Sequence, residues 1–485
     1  MLPVQSTLPF SDYSSLYDLL VPKTNLLRQI NDLVDFSFIR KELLAKYCSD
    51  NGRTAECPIR MFKYLLLKII YDLSDVDVVE HSLYDLSFKY FLGMAPEDTS
   101  LINPSSLCKF RKLRLQDNGL MNLLIEKTVS IAVEKGIIKS RTIIVDSTHT
   151  GSRSNPYSSV DVLKLRSKQL RKVIYDFDDE VKESLPEKNE DNDLSHELKY
   201  TRDLVDAVSS NAVLSNVPKI KERLNMLKEV ADDIEDHYTT SKDTDARTGH
   251  KSEDDSFFGY KTHIAMSDER IITAAIVTSG EKGDGPQLEE LVKQSRENGM
   301  EVETVVGDTA YSGKDNIILS QDEEKGFELV AQLHPVISHG FRKEEDKFEF
   351  NKDAGMFVCP AGHMAVRKAC QGKKGQGVNR TMVYFFDVDK CRNCSRRKGC
   401  YKEGANSKSY SVQIKSEEHK RQESFQNTEE FKEKARVRYK IEAKNAELKN
   451  VLGYDRATSY GMDCMRMQGA LTIFVANLKR ILKLS

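Results

Sequence analysis

Two short β-branched runs in this chain each stop at an aspartate: IIVDSTHT (143–150) ends its apolar part at Asp146, and VVGDTAYSG (305–313) at Asp308. An apolar run of this length reads as a buried strand, and the acid that ends it is delivered to the edge of a sheet. The flanks agree, because Asp146 is followed by Ser147, Thr148 and His149, and Asp308 by the turn-forming Tyr311, Ser312 and Gly313. Carboxylates presented in this way suit metal-assisted chemistry.

At 485 residues the chain is expected to hold two or three modules with at least one sizeable core. No apolar run approaches the length of a membrane span, and the start MLPVQSTLPF lacks a basic segment followed by an apolar one. Neither a membrane span nor a signal peptide is expected, which points to a cytoplasmic protein. Of nine cysteines, five fall between Cys359 and Cys400, a local cluster that fits metal binding in a reducing compartment better than a disulfide scaffold. Net charge is −2, yet residues 361–485 carry 27 Lys and Arg against 13 Asp and Glu, about +14, leaving about −16 on residues 1–360. So basic a C-terminal quarter is the footprint of a polyanion-binding surface, against the alternative of a solvated basic face.

Residues 1–140 read as an all-helical module. RMFKYLLLKIIYDL (60–73) has helical apolar spacing with Pro58 near its first turn, and the stretch 106–136 continues the pattern to a terminal glycine. Lys109, Arg111, Lys112 and Arg114 lie close together on a polar helix that either grips DNA or is a plain amphipathic surface helix. After the first strand comes a charged interruption, 158–245, read as a helical insertion with two helices separated by the polar run PEKNEDNDLSHE. Strand patterns resume in FGYKTHIAMS (258–267) and RIITAAIVTS (270–279), a hairpin, followed by a helix over 286–297, the strand leading to Asp308, a short helix, and ELVAQL (328–333). The boundaries are 141–335 for the first part of a catalytic core, 336–425 for a Cys-rich insertion, and 426–485 for helices completing the core. In a mixed sheet of this order the first strand can lie beside the fourth, so that Asp146 and Asp308 meet.

Two carboxylates rarely hold two divalent cations alone. FKEKARVRYKIEAKNAELKNVLGY (431–454), part of a long helix expected over 428–452, places Arg438, Glu442 and Lys449 on one face, with Gly453 as its stop. Asp146, Asp308 and this late helix together resemble the DDE transposases of bacterial insertion sequences. The likeness extends to FLGM (91–94) and SSLCKFRKLR in the helical module, and to DTDARTGHKSEDDSFFGYKTHIAMSD (243–268) before the second strand. It implies a ribonuclease-H-like α/β fold, with a mixed five-stranded sheet flanked by helices. The catalytic triad carried over is Asp146, Asp308 and Glu442, holding two Mg²⁺ or Mn²⁺ ions, with Arg438 and Lys449 at the auxiliary positions. The group often has Tyr three residues before the arginine, where this chain has Ala435; Glu442 is preferred over Glu447 because only it has the arginine four before and the lysine seven after.

The activity implied is metal-dependent cleavage of DNA at an element's ends and transfer of the cut strand to target DNA, by a dimer or higher multimer associated with the nucleoid. Lys261 and His263 alternate on one strand and so share a face that can meet phosphate, as can Arg247 and Lys251 before it. His149 reads as a turn residue. Cys359, Cys391, Cys394 and Cys400, with His363 or Cys370 as a possible replacement for one of them, have spacing that suits a closed structural Zn²⁺ site stapling a long loop, beside Arg392, Arg396, Arg397 and Lys398. Cys48, Cys57, Cys108 and Cys464 are expected in the core. Competing readings are a transposase-derived DNA-binding protein without activity and a ribonuclease-H-like nuclease without strand transfer.

Overall fold

Ile143, Ile144 and Val145 are inaccessible to solvent from either side, and this fixes the centre of the fold. The computed structural model describes residues 11–48, 54–116, 119–154, 158–178, 180–189, 191, 193–235, 243–250, 256–322, 324–333, 348–351, 354–372, 381–413 and 417–485. The main sheet contains β1 (Thr142–Gly151), β2 (Arg247–His250), β3 (Ser256–Ser267), β4 (Ile272–Ser279), β5 (Thr304–Val306) and β6 (Glu328–Val330). β1 pairs antiparallel with β3, from Ile143 opposite Ser267 to Gly151 opposite Gly259, and parallel with β5, with Ile144 opposite Val306. β6 continues the parallel side, while β4 and the short β2 share the other edge of β3. The five expected strands are thus present in a mixed sheet, and β2 is a sixth that the polar sequence RTGH does not announce. Gly259 is required where three strands crowd, since a Cβ there would lie 2.1 Å from the Thr150 carbonyl.

Alternate residues of the sheet feed two cores. Ile143, Val145, Ala265 and Val305 pack with Leu288, Leu291 and Val292 of the helix Leu288–Glu297. Ile144, Ile264, Met266 and Val306 join the larger cluster, which includes Ile441, Leu448 and the helix Met462–Leu484. That helix is apolar on nearly every side, with Ile473, Phe474, Val475, Ala476 and Leu478 all at 0% exposure, because it is sandwiched between the sheet and the N-terminal helices. The N-terminal region is helical, as expected. Pro58 opens Pro58–Tyr71 at its first turn, where its missing N–H is harmless. The continuous helix expected over 106–136 is instead Pro104–Phe110, a π-turn Arg111–Leu115, and Leu120–Glu134, divided by Gly119 at φ +58°. These helices share one core with Met462–Leu484, so the apolar packing runs on past residue 140.

The insertion holds three long helices, Ser159–Phe177, Leu194–Ser210 and Pro218–Glu235, around Leu170, Ile174, Leu204, Val208, Ile220 and Leu227. The middle helix escapes sequence reading because its first turn lies within the polar run, where Asp193 is its N-cap, accepting from the Ser195 and His196 amides. Where the chain leaves and rejoins the sheet, the Ser152 hydroxyl is 2.8 Å from Asp243 Oδ2. The Cys-rich region is more than a stapled loop. It contains β7 (Glu349–Asn351) paired with β8 (Met356–Val358), and a sheet of β9 (Arg367–Gln371), β10 (Thr381–Phe386) and β11 (Lys408–Gln413) around Phe348, Phe357, Tyr384, Phe386 and Tyr410. The long helix expected over 428–452 is broken into Glu429–Ala435 and Tyr439–Asn450 by a 3₁₀ turn, Arg436–Arg438, and ends at Gly453 with φ +65°. No helix among the described residues is long and apolar enough to cross a membrane.

Candidate active site

β5 ends opposite Ile144, so β1 runs on for several residues beside β3 alone. Asp146 sits in the opening this leaves, and Asp308 lies two residues past the end of β5. The Asp308 carboxylate accepts from the Ala310 amide at 2.9 Å, which caps the turn Thr309–Tyr311. Burial pushes the Asp146 carboxyl up from 3.8 to about 6, and the charges of Asp308 and Asp284 add to this, while the Ser147 amide and Arg438 oppose it. The two acids named in the sequence are therefore neighbours, and their ionised forms repel each other.

The helix Tyr439–Asn450 covers this opening. Asn445 Nδ2 donates to Asp146 Oδ2 at 3.1 Å, and Lys449 Nζ lies 3.3 Å from the His149 ring nitrogens. His149 also packs on Phe257, with ring centroids 4.8 Å apart. Glu442 is on the same helix, three residues before Asn445, but its side chain is 59% exposed and pairs with Arg438 at 2.9 Å. Glu447 takes a different direction, pairing at 2.8 Å with the buried Lys444 and acting electrostatically on Lys479 and Arg480 of the last helix. Among the described residues, no three of His, Cys, Asp and Glu are gathered closely enough to hold a metal ion. Even so, two neighbouring carboxylates, one of them half-buried and raised chiefly by burial and further by the charge of the other, are the hard oxygen donors that suit a divalent cation. Glu442 stands apart from these acids in this arrangement, paired with Arg438 at an exposed position where such a pair is weak.

The remaining expected residues are dispersed. Lys261 and His263 do share a face, but they meet Asp284: Lys261 Nζ is 3.0 Å and His263 Nδ1 3.3 Å from its carboxylate. His263 is fully buried, so the phosphate contact expected of it is not available in this arrangement. Arg247 is exposed and folds back on the Thr244 and Ala246 carbonyls at 2.6 and 2.8 Å. Lys251 lies outside the described residues. On the polar helix, Arg111 forms a two-pronged pair with Asp75 and Arg114 lies 4.5 Å from the Tyr47 ring centre, which leaves Lys109 and Lys112 exposed.

Cys359, Cys391, Cys394 and Cys400 line one cavity together with His363, Arg396 and Arg397; Cys370 is exposed on β9. Burial raises the Cys391 thiol, and Cys400, Cys359 and Cys394 add to the shift. Thiols are the ligand type of structural zinc sites, although as placed these four are not gathered closely enough to hold an ion. The core placement expected for Cys48, Cys57, Cys108 and Cys464 is not what the structure has: Cys48 and Cys108 are exposed, and Cys57 and Cys464 are half-buried. Cys108 lies off the inward face set by Leu107 and Phe110, and Cys464 beside the inward Met465.

The transposase DDE domain family model matches residues 230–478, about half of the chain, and the transposase domain (DUF772) model matches residues 15–113. The chain belongs to the DDE transposases. No curated protein and no solved structure matches it. The protein is thus a polynucleotidyl transferase acting on DNA with divalent metal ions. Sequence reasoning missed two residues that act on Asp146, Asn445 by a hydrogen bond and Asp284 by its charge. Asn445 had a signal, since it falls on the Arg438, Glu442 and Lys449 stripe. Asp284 had none, because its place depends on the segment after β4 packing against the turn that follows Asp308.

Proposed function

We propose that Asp146, Asp308 and Glu442 are the three metal-binding acids of this transposase, and that they serve both cleavage at the element's ends and joining to target DNA. The reading rests chiefly on one observation: Asp146 is half-buried, coupled electrostatically to Asp308, and tied through Asn445 to the helix carrying Glu442. Asp146 and Asp308 would hold a Mg²⁺ or Mn²⁺ pair with Glu442. When bound, the ions supply electrostatic stabilisation to the attacking and leaving oxygens of an in-line displacement. Asn445 fixes the orientation of Asp146, and the helix above it covers one side of that carboxylate. Arg438, once Glu442 turns inward, and Lys449 are placed to clamp phosphates of the scissile strand. Glu447 is held by Lys444 on a different side and does not take this role.

Water as nucleophile gives strand cleavage, and the freed 3′-hydroxyl gives strand transfer at the same centre. The test is incubation of wild-type protein with a duplex bearing its element's end in Mg²⁺ or Mn²⁺. Joined products would support the transposase reading, whereas cleavage without joining would favour a nuclease. Two DNA ends must be paired, so the acting form is a dimer or larger, and its basic C-terminal quarter supports association with the nucleoid.

Cys359, Cys391, Cys394 and Cys400 are proposed to hold one structural Zn²⁺. Metal analysis is expected to find one zinc per chain, and a strong chelator or Cys391→Ser to lower the melting temperature by stripping a site worth many kcal/mol of folding energy. Zinc-free protein with the same melting temperature would refute this.

A further inference from the structure

Tyr311 is fully buried, yet among the described residues its hydroxyl has no hydrogen-bond partner. A buried tyrosine usually finds one, because an unpaired hydroxyl away from water is costly. The ring is wedged against Gly307 and Val145, beneath the end of β5 and the middle of β1. Burial raises the phenol well above its ordinary range, and Asp284, Asp146 and Asp308 each raise it further. The hydroxyl is thus coupled electrostatically to three carboxylates carried by three separate segments.

Asp284 is held in place from two sides. Its own burial pushes its carboxyl up, but His263 and Lys261 outweigh this and keep it below the usual range. His263 is itself fixed by the Thr278 hydroxyl, 2.9 Å from Nε2. The next residue, Gly285, is locked to the Asp308 turn: Asn316 Nδ2 donates to the carbonyls of both Gly285 and Tyr311 at 3.0 Å, and a Cβ on Gly285 would lie 2.6 Å from the Ala310 carbonyl. An ion pair serving only to anchor a loop needs no contact with the acid pair. This one is built into the turn that carries Asp308.

We propose that the Tyr311 hydroxyl and the Asp284 carboxylate are positioning groups that hold the water ligands of a divalent cation bound at Asp146 and Asp308. The proposal rests on the reading of Asp146 and Asp308 as metal ligands. Hydrated divalent cations keep several waters, and those waters donate strongly. A carboxylate accepts from such a water, and a phenol can accept from one while giving its own proton to a carboxylate. Outer partners of this kind typically set metal affinity by about 10–100-fold.

The experiment is Mn²⁺ binding to the full-length protein without DNA, read by electron paramagnetic resonance, with melting curves in EDTA alongside. Tyr311→Phe removes one oxygen and Asp284→Asn one charge. Each is expected to weaken Mn²⁺ binding by about 10–100-fold and to move the Mn²⁺ concentration for half-maximal cleavage upward, while Tyr311→Phe melts in EDTA no lower than wild type. Unchanged Mn²⁺ affinity in Tyr311→Phe, against clear loss in Asp146→Asn, would overturn the proposal. So would a fall in EDTA melting temperature with affinity intact, since that marks a purely structural pair. Affinity unchanged in Asp146→Asn as well would sink the metal-ligand reading beneath it.

Discussion

Asp146→Asn is expected to abolish strand cleavage and, in the same protein, to raise the stability of the metal-free fold at neutral pH. The first effect follows from losing a ligand at the point where charge develops: several kcal/mol of transition-state stabilisation correspond to a rate loss of about 10³-fold or more. The second follows from the burial of the carboxyl, which with Asp308 and Asp284 raises it from 3.8 to about 6. A carboxyl that holds its proton more tightly in the folded chain favours folding fully below pH ~4, and that advantage is lost as the pH rises through about 6. Above this window the charged group costs the metal-free fold up to about 3 kcal/mol. Asparagine keeps the shape and removes the charge. Melting curves in EDTA from pH 4 to 8 should therefore show the variant above wild type at pH 7.5, with the gap closing towards pH 4. Wild-type cleavage by Asp146→Asn would remove the residue from the metal-binding acids. A lower melting temperature at pH 7.5 would mean that its charge supports the fold.

Asn477→Leu should be among the most destabilising single changes in the molecule. Asn477 is fully buried on the last helix; its Oδ1 accepts from the Ile272 amide at 2.9 Å, and its Nδ2 donates to the Ile272 carbonyl at 2.8 Å and the Thr128 hydroxyl at 2.9 Å. One amide thereby ties the start of β4 to two helices. Leucine fills similar space but orphans the Ile272 amide and carbonyl in the interior, at ~1–3 kcal/mol each, so that the loss is about 3–5 kcal/mol. A urea titration followed by circular dichroism checks this, with a substantially lower midpoint expected. A midpoint equal to that of wild type would show that water or a shifted helix satisfies Ile272 instead.

The strand acids were legible because β1 and β5 are covered on both faces, which forces continuous apolar runs that stop where the chain meets solvent. Gly453 was legible as a helix stop for a similarly local reason: only its backbone conformation is at issue. The break at Arg436–Arg438 was not, since no proline or glycine marks it and the helical spacing of the flanking residues continues through it. The middle insertion helix was hidden by the polar run in which it begins. Lys261 and His263 were correctly placed on one face, but what faces them, Asp284, is a property of the tertiary fold. Cysteines outside the cluster were misplaced because composition says how often a thiol is buried, whereas the side of the helix decides whether a given one is. The orientation of Glu442 lies beyond local pattern too, because either Arg438 or a cation satisfies the same carboxylate.

The three-helix insertion leaves β1 after Gly151 and returns ahead of β3, and those strands meet there, with Gly151 opposite Gly259. The Ser152–Asp243 contact pins both ends of the excursion, and Asp243 is held in turn by the Tyr260 hydroxyl and the Gly461 amide. Closing a longer or shorter excursion between ends already pinned changes the entropy only slowly with length. The sheet therefore behaves as a socket and the helices as a cartridge: the excursion can be lengthened or shortened without re-registering β1 against β3.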